Sequence, residues 1–131
     1  MRTLAAGLPV DFLGFVSGRE RFAKLLAAAD AVIAPGPIET FGLAALEALA
    51  CATPVVVNAA SALPEVVGSA GVAADGTADA FADAVHEVLA RPEEERREAA
   101  RARAEQLPWS RTVEAMLDIH ERVHTRPAAD V

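Results

Sequence analysis

The chain has 131 residues, of which 53% are hydrophobic and 24% are charged, and its formal net charge is -7. This composition excludes a disordered chain, and the acidic balance argues against nucleic-acid binding, because phosphate backbones require clustered Lys and Arg. No apolar run reaches the ~20 residues of a membrane span, and the single cysteine, Cys51, excludes an internal disulfide, which favours a reducing cytoplasm.

Strand and helix signals alternate along the chain, which predicts a parallel sheet between helices. Residues 10–16 read as a first strand that ends in a turn. Ser17 and Glu20 have the spacing of a capping box and predict a helix with Ser17 as its N-cap. The packing face of this helix carries Phe22, Leu25, Leu26 and Ala29. Residues 31–34 are apolar without alternation, as in a strand covered on both faces.

The alternation continues to about residue 74. A loop over residues 35–42 precedes a helix at about 43–51, and a third buried strand follows at 55–57. A loop over 58–68 contains a short helical turn, and residues 71–74 form a fourth strand. The predicted fold class is therefore α/β, a Rossmann-like three-layer αβα domain with about four parallel strands. We expect one domain over residues 1–131, with 1–9 and 127–131 poorly ordered.

The remainder of the chain is predicted to be helical. Thr77 is the expected N-cap of one helix, and Pro92 begins a second, solvated helix whose arginines alternate with acids. Ser110 is the expected cap of a last helix, which Pro127 ends. The apolar stripe of this last helix comprises Val113, Met116, Leu117, His120 and Val123.

Two acids stand out at the predicted carboxyl end of the sheet, where open parallel sheets bind their ligands. Glu39 precedes the second helix, and Glu47 follows eight residues later. Free N–H groups at residues 41–44 would form an anion site, and Gly42 would let a phosphate or sugar approach the backbone. Glu47 shares a helix face with Leu43, so we expect it to be buried, with ligand hydroxyls such as a ribose diol as its partner.

A purely structural interpretation of the same residues is equally compatible with their spacing. Glu39 and Thr40 would then only cap the helix, and Glu47 would lie at the helix edge in water.

The segment from Pro35 to Val56 resembles the signature of family 4 retaining glycosyltransferases (glycosyl transferases group 1), which have the GT-B fold. That signature is a Glu-x7-Glu pair around a Phe-Gly-Leu turn, here Glu39 and Glu47 around Phe41-Gly42-Leu43. Flanking segments extend the resemblance to about residues 10–125: Phe12-Leu13-Gly14-Phe15-Val16, Asp30-Ala31-Val32-Ile33-Ala34-Pro35 and Leu63-Pro64-Glu65-Val66-Val67.

The resemblance implies a role for each matching position. Glu39, the expected catalytic residue, would contact hydroxyls of the donor sugar, and Glu47 would bind the ribose hydroxyls of the nucleotide. Backbone amides of Phe41-Gly42-Leu43 would hold the sugar and the distal phosphate, with Thr40 beside them, and Gly14 would lie under the nucleotide. The implied reaction transfers a sugar from a nucleoside-diphosphate sugar to an acceptor with retention of configuration, and needs neither a metal ion nor a cofactor.

Several features depart from the family pattern. Ala52 stands where glycine usually follows the cysteine, and residues 58–62 replace a common glycine pair. Neither the family's amino-terminal acceptor domain nor the opening βα unit, whose Arg and Lys neutralise the diphosphate, precedes Val10. The sequence therefore predicts a fragment or one half of a split enzyme, which alone binds its donor weakly and transfers nothing.

The expected partners follow from the same family resemblance. They are the donor and a missing acceptor domain or partner chain, and exposed strand edges would also allow pairing with a second copy. Contact with a membrane is expected only through a lipid acceptor.

Two other functions stay open. In the first, the chain is a non-catalytic nucleotide-binding or subunit-interaction fragment that regulates a partner. In the second, it is part of another GT-B enzyme, such as a sugar-nucleotide epimerase. The Glu39-to-Glu47 spacing argues against the epimerase. His120-Glu121-Arg122-Val123-His124 matches the H-E-x-x-H zinc motif, but without a third ligand it favours ordinary surface histidines. Cys51 is expected to be a small core residue.

Overall fold

The computed structural model describes residues 2–124. Within this span helices and strands follow one another in the order α1 Arg19–Ala28, β1 Val32–Ala34, α2 Leu43–Ala50, β2 Val55–Asn58, α3 Leu63–Val67, β3 Val72–Ala74, α4 Ala78–Ala90, α5 Glu93–Glu105 and α6 Trp109–His124. A 3-10 turn over Gly68–Ala70 joins α3 to β3. None of the helices in residues 2–124 is long and apolar enough to cross a bilayer.

The three strands form a parallel sheet in the order β1-β2-β3. Val32 is opposite Val55 on one side of β2, and Val56 is opposite Val72 on the other. Every residue of β2 is buried, as its uninterrupted apolar sequence predicts. The α/β fold class with a parallel sheet is therefore confirmed.

Helices cover both faces of the sheet. Val55 and Val57 pack into a core with α1, α2, α3 and α5. Val56 lies on the opposite face, in a smaller core with Ala84 and Val88 of α4. This alternation of neighbouring side chains is the period of two that a strand imposes, and it produces the predicted three layers.

The predicted first strand is wrong, and the sheet has three strands rather than about four within residues 2–124. Residues 10–16 are irregular and mostly exposed, and Phe15 is 94% exposed. A strand persists only when its backbone groups pair with a neighbour. Residues 10–16 pair with neither edge of the sheet, and Gly14 has a φ of +67° that interrupts an extended chain.

Two of the three predicted helix caps are also wrong. Gly18, with a φ of +88°, is the N-cap of α1 in place of Ser17 and makes no side-chain bond. Since α6 begins at Trp109, Ser110 lies inside that helix rather than before it. Thr77 is confirmed, because its side-chain oxygen accepts a hydrogen bond from the N–H of Ala80 at 3.2 Å. The predicted end of α6 at Pro127 lies outside the described residues.

Helix α5 was predicted to be a solvated helix but is part of the larger core. Ala100 is fully buried, and Arg96 is 9% exposed and forms an ion pair with Asp30 at 3.3 Å. Only the acidic first turn fits the prediction: the hydrogen bond from Arg97 lowers the pKa of the exposed Glu93 below its ordinary value. Three arginines of this helix donate to backbone carbonyls at the carboxyl ends of α1, α2 and α3: Arg97, Arg101 and Arg103. These carbonyls lack partners within their own helices, which explains why the arginines turn inward.

The apolar stripe predicted for α6 exists, but none of its side chains is buried within residues 2–124. No residue of α6 is buried, and Val113, Met116, Leu117 and Val123 are all more than half exposed. The periodicity therefore predicts the helix and its stripe correctly.

Candidate functional site

The carboxyl ends of all three strands meet at one edge of the sheet, and Asn58 ties their loops together. Its side-chain amide donates to the carbonyl of Pro35 at 2.9 Å, and its side-chain oxygen accepts from Ala60 at 2.9 Å. Ser61 donates to the Asn58 carbonyl at 2.7 Å, and Ala59 donates to the carbonyl of Ala74 in β3 at 2.8 Å. Asn58 is almost completely buried, so this edge is a fixed base for the loop that contains Glu39.

Gly42 is the N-cap of α2 and has a left-handed backbone, with φ +82° and ψ +56°. A Cβ at this position would overlap the side chain of Leu63 from α3. The sequence predicted that glycine serves ligand approach. The structure shows that packing against Leu63 also requires it.

The helix-capping interpretation of Glu39 and Thr40 is wrong. No side chain caps the amino end of α2, because the N-cap is glycine. The Glu39 carboxylate instead accepts from the N–H of Thr40 at 3.0 Å, ahead of the helix. Glu39 is exposed, and its Cγ would lie 3.5 Å from a Cβ on Gly42. The exposed Glu39 carboxylate and the uncapped amino end of α2 are therefore neighbours.

The predicted burial of Glu47 is also wrong. Glu47 and Leu43 share a helix face, as predicted, but both are exposed, because Ala45, Ala48 and Leu49 form the buried face of α2. Within residues 2–124 the Glu47 carboxylate has no hydrogen bond or ion pair. Its exposure removes the desolvation cost that burial would impose and leaves the carboxylate available to a ligand.

Glu47 lines two neighbouring clefts. The larger, of about 810 Å³, lies between α1 and the irregular amino-terminal segment and includes Gly14, Arg2 and Phe22. The guanidinium of Arg2 lies 4.9 Å above the ring of Phe12 at the same cleft. The smaller cleft, of about 300 Å³, also includes Phe22, together with Cys51 and Trp109. The structure thus brings Gly14 and Glu47 together, and the two clefts form a groove along α1.

The other predicted site residues do not line this groove. Thr40 and Phe41 line a separate cleft of about 200 Å³, with Glu65 and Arg103. Gly42 and Glu47 are about 7.5 Å apart along the helix, at 1.5 Å per residue. A ligand that contacts both ends of this arrangement must therefore be extended, with an anionic end at Gly42 and hydroxyls at Glu47.

The family described as glycosyl transferases group 1 matches residues 2–106. This chain belongs to that family. The match contains the acid pair and all the strands, and it ends before α6 begins.

Relatives of this glycosyltransferase chain include two mycobacterial enzymes. The GDP-mannose-dependent alpha-(1-6)-phosphatidylinositol dimannoside mannosyltransferase of Mycobacterium tuberculosis is 54% identical over 114 residues, which are 86% of this chain and 30% of that protein. The D-inositol 3-phosphate glycosyltransferase of Mycolicibacterium smegmatis is 40% identical over 121 residues, 85% of this chain and 28% of that protein. The chain therefore spans about 30% of the length of the curated relatives it matches.

A solved glycosyltransferase has the same fold. The sucrose-phosphate synthase of Thermosynechococcus elongatus superposes with a TM-score of 0.81 at 28% identity, over 94% of this chain and 33% of that one. The match supports the Rossmann-like arrangement expected of a GT-B donor domain.

Sequence reasoning missed two residues of this candidate site. Asn58 was seen only as part of the segment that replaces a glycine pair, although a polar residue directly after an apolar strand is a signal in itself. Arg103 was assigned to a solvated face, and its position beside Thr40 and Phe41 depends on how α5 packs. No local sequence pattern contains that information.

The H-E-x-x-H match lies on the exposed helix α6. The rings of His120 and His124 are 4.5 Å apart between centroids. Within residues 2–124 no group of three His, Cys, Asp or Glu side chains could hold a metal ion. Cys51 is half-buried and packs against the larger core, as a small apolar residue would.

Proposed function

We propose that this chain is the donor-binding part of a retaining glycosyltransferase that transfers a sugar from a nucleoside-diphosphate sugar to an acceptor. The observation that carries the proposal is the pair of exposed acids on either side of the uncapped amino end of α2. A helix amino end binds anions, and a free carboxylate accepts hydrogen bonds from hydroxyls. A nucleoside-diphosphate sugar carries both an anionic diphosphate and neighbouring hydroxyls.

Each part of the site has one task in this proposal. Amides of residues 41–43 hold the distal phosphate, and Glu39 binds hydroxyls of the donor sugar as the catalytic residue. Glu47 accepts from the ribose hydroxyls, and Gly14 lies under the nucleotide. The bond from the anomeric carbon to the diphosphate breaks with its electron pair on the diphosphate, whose charge the amides stabilise. A bond to the acceptor oxygen forms on the same face, and the proton of that acceptor hydroxyl passes to an oxygen of the departing diphosphate. We assign this reaction no metal ion and no cofactor.

GDP-mannose is the first donor to test, because the relative that is 54% identical is named as GDP-mannose-dependent. The acceptor that its name gives, a phosphatidylinositol dimannoside, makes a glycolipid the first acceptor to test. Contact with the membrane would then be indirect, through that acceptor. A cytoplasmic location fits the free thiol of Cys51.

The test is a calorimetric titration of the full chain with GDP, GDP-mannose and UDP. We expect saturable binding of the two guanosine ligands and weaker binding of UDP. Replacing Glu47→Gln removes the charge from two hydrogen bonds to the ribose, so we expect a GDP affinity at least tenfold lower. Glu114→Gln on the exposed helix α6 is the matched control, with the same loss of one charge outside the site.

Two results would contradict the proposal. A folded chain that binds none of the three ligands has no working donor site. A chain that binds GDP equally well with and without the Glu47 carboxylate has its nucleotide site elsewhere.

A non-catalytic, subunit-binding role is a second candidate, and one observation favours it. Strand β1 pairs only with β2 in residues 2–124, and the side chain of Ile33 is 51% exposed. An unpaired strand edge invites pairing with another chain or with a second copy. Sedimentation analysis of the wild type and of Ile33→Lys distinguishes the roles, because a dimer that the lysine dissociates, without nucleotide binding, supports the second.

A further inference from the structure

Arg103 joins α5 to the end of α3 through backbone carbonyls. Its Nε donates to the carbonyl of Val66 at 2.9 Å, and its Nη2 donates to that of Glu65 at 2.6 Å. Gln106 accepts from Nη1 at 3.0 Å and fixes the orientation of the guanidinium. A Cβ on Gly68 would lie 3.3 Å from Nε, so a glycine there leaves room for the group.

Helix α3 depends on such an external contact. It has five residues, fewer than a helix needs to be stable alone in water, and its last carbonyls have no partner inside the helix. Its first residue, Leu63, is 3% exposed and covers Gly42 at the start of α2. Any shift of α3 therefore reaches the backbone of Gly42 directly through the Leu63 side chain.

Arg103 also borders a cleft that is lined by the loop containing Glu39. It lines the cleft of about 200 Å³ together with Thr40 and Phe41, the residues directly before Gly42. The guanidinium is thus linked to the same loop by two routes, one through α3 and Leu63 and one across this cleft.

We propose that Arg103 is a positioning residue for the amides of residues 41–43, and through them for the distal phosphate of the donor. The inference rests on the proposed function, since those amides matter only if they bind a diphosphate. Hydrogen-bond donors must be held within about 0.5 Å of their productive positions. Arg103 supplies that accuracy without touching the ligand.

The variant that isolates this role is Arg103→Lys. Lysine keeps the positive charge but lacks the planar fork that reaches two carbonyls at once. The matched control is Arg101→Lys, because Arg101 also lies on α5 and donates to a helix carbonyl, that of Ala50 at 2.7 Å. Ala50 is at the far end of α2, about 12 Å along the helix from Gly42, so the control removes the same kind of bond away from the phosphate site.

The binding test compares GDP with GMP, which lacks the distal phosphate. For Arg103→Lys we expect the Kd of GDP to rise about five- to tenfold, equal to about 1–1.4 kcal/mol, and that of GMP to change less than twofold. Arg101→Lys should change neither value more than twofold. A purely structural role would lower the fraction of binding-competent protein and leave both Kd values unchanged, which would overturn the proposal. So would an equal loss for GDP and GMP.

Amide hydrogen exchange tests the positioning without any ligand. The N–H of Leu46 donates to the carbonyl of Gly42 at 3.1 Å, so its exchange reports how firmly the start of α2 is held. We expect it to exchange at least fivefold faster in Arg103→Lys than in Arg101→Lys, and equal rates would overturn the proposal. If the wild type binds no GDP, the proposed function fails while this measurement still decides the role of Arg103. If Arg103→Lys does not fold, Gln106→Ala replaces it, and faster exchange of the Leu46 amide in that variant is required.

Discussion

At the scale of single residues, the backbone of Gly42 has φ +82° and lies directly beneath the side chain of Leu63. A side chain at this position meets two separate penalties. The left-handed backbone costs an L-residue about 1–2 kcal/mol, and a methyl group forced against a packed leucine costs about 1–3 kcal/mol. Both penalties fall on the residue that begins the proposed phosphate-binding helix.

We therefore expect Gly42→Ala to lower the free energy of unfolding by about 2–5 kcal/mol. Urea denaturation followed by circular dichroism measures this change. Gly36→Ala is the matched control, since a Cβ there meets no atom within 4 Å, and its effect should stay within about 0.5 kcal/mol. Equal stabilities for the two variants would mean that neither the backbone conformation nor Leu63 constrains position 42.

The position of the site was predictable from single residues, but its exposure was not. Glu39 and Gly42 follow an apolar strand, and this placed them at the carboxyl edge of the sheet. Helix α2 is apolar almost all round, so its sequence does not reveal which side is covered. Packing against α5 covers Ala45 and leaves Glu47 open, and that choice depends on residues fifty positions away.

At the scale of elements, the helices differ in whether a side chain accepts a hydrogen bond from the free N–H groups of their first turn. Thr77 supplies a side-chain acceptor at the start of α4. Ser110 has the same kind of side chain but lies one residue inside α6. A hydroxyl stabilises a helix start only when it precedes the first free N–H groups.

Replacing Thr77→Ala should therefore cost about 1 kcal/mol of unfolding free energy. Ser110→Ala removes a similar hydroxyl that caps nothing, so its effect should remain below about 0.5 kcal/mol. Thermal or urea denaturation of the two variants in parallel gives the comparison. A larger loss from Ser110→Ala would place the functional start of α6 at that residue instead.

Elements whose own sequence contains the signal for their structure were predictable. Elements that form only by contact with a distant part of the chain were not. The strands β1, β2 and β3 were found because each is a short apolar run bounded by turn residues. Residues 10–16 have the same pattern without a neighbouring strand, and the pattern alone does not contain that difference. The inward arginines of α5 were missed for a related reason, since their carbonyl partners lie 37 to 70 residues earlier in the chain.

At the scale of the whole molecule, the folded body ends with α5. Both cores draw their buried residues from α1 to α5 and the sheet. Helix α6 adds no buried residue and exposes large apolar side chains, among them Trp109 at 73%. Such a surface adds little to folding and promotes association.

A chain ending at Leu107 should accordingly keep its fold, with a melting temperature within about 4 °C of the full chain, equivalent to less than about 1 kcal/mol. It should also aggregate less at high concentration. A chain ending at Arg91 removes Arg96, Ala100 and the arginine contacts of α5, and we expect it to be unfolded. Circular dichroism and light scattering compare the three chains, and an unfolded 1–107 chain would show that α6 contributes to the core.

The carbonyls that accept hydrogen bonds from the arginines of α5 all belong to segments that the ribosome synthesises before α5. Ala27 precedes Arg97 by 70 residues. At a synthesis rate of ~5–20 residues per second, Arg97 is added about 4 to 14 s after Ala27. During this interval the Ala27 carbonyl lacks the partner that Arg97 supplies in the folded chain, and the carbonyls of α2 and α3 lack theirs for shorter times, because 51 and 37 residues separate them from Arg101 and Arg103. The direction of protein synthesis therefore makes α5 the last step in closing the larger core, and a chaperone that binds apolar segments has several seconds in which to act before that step.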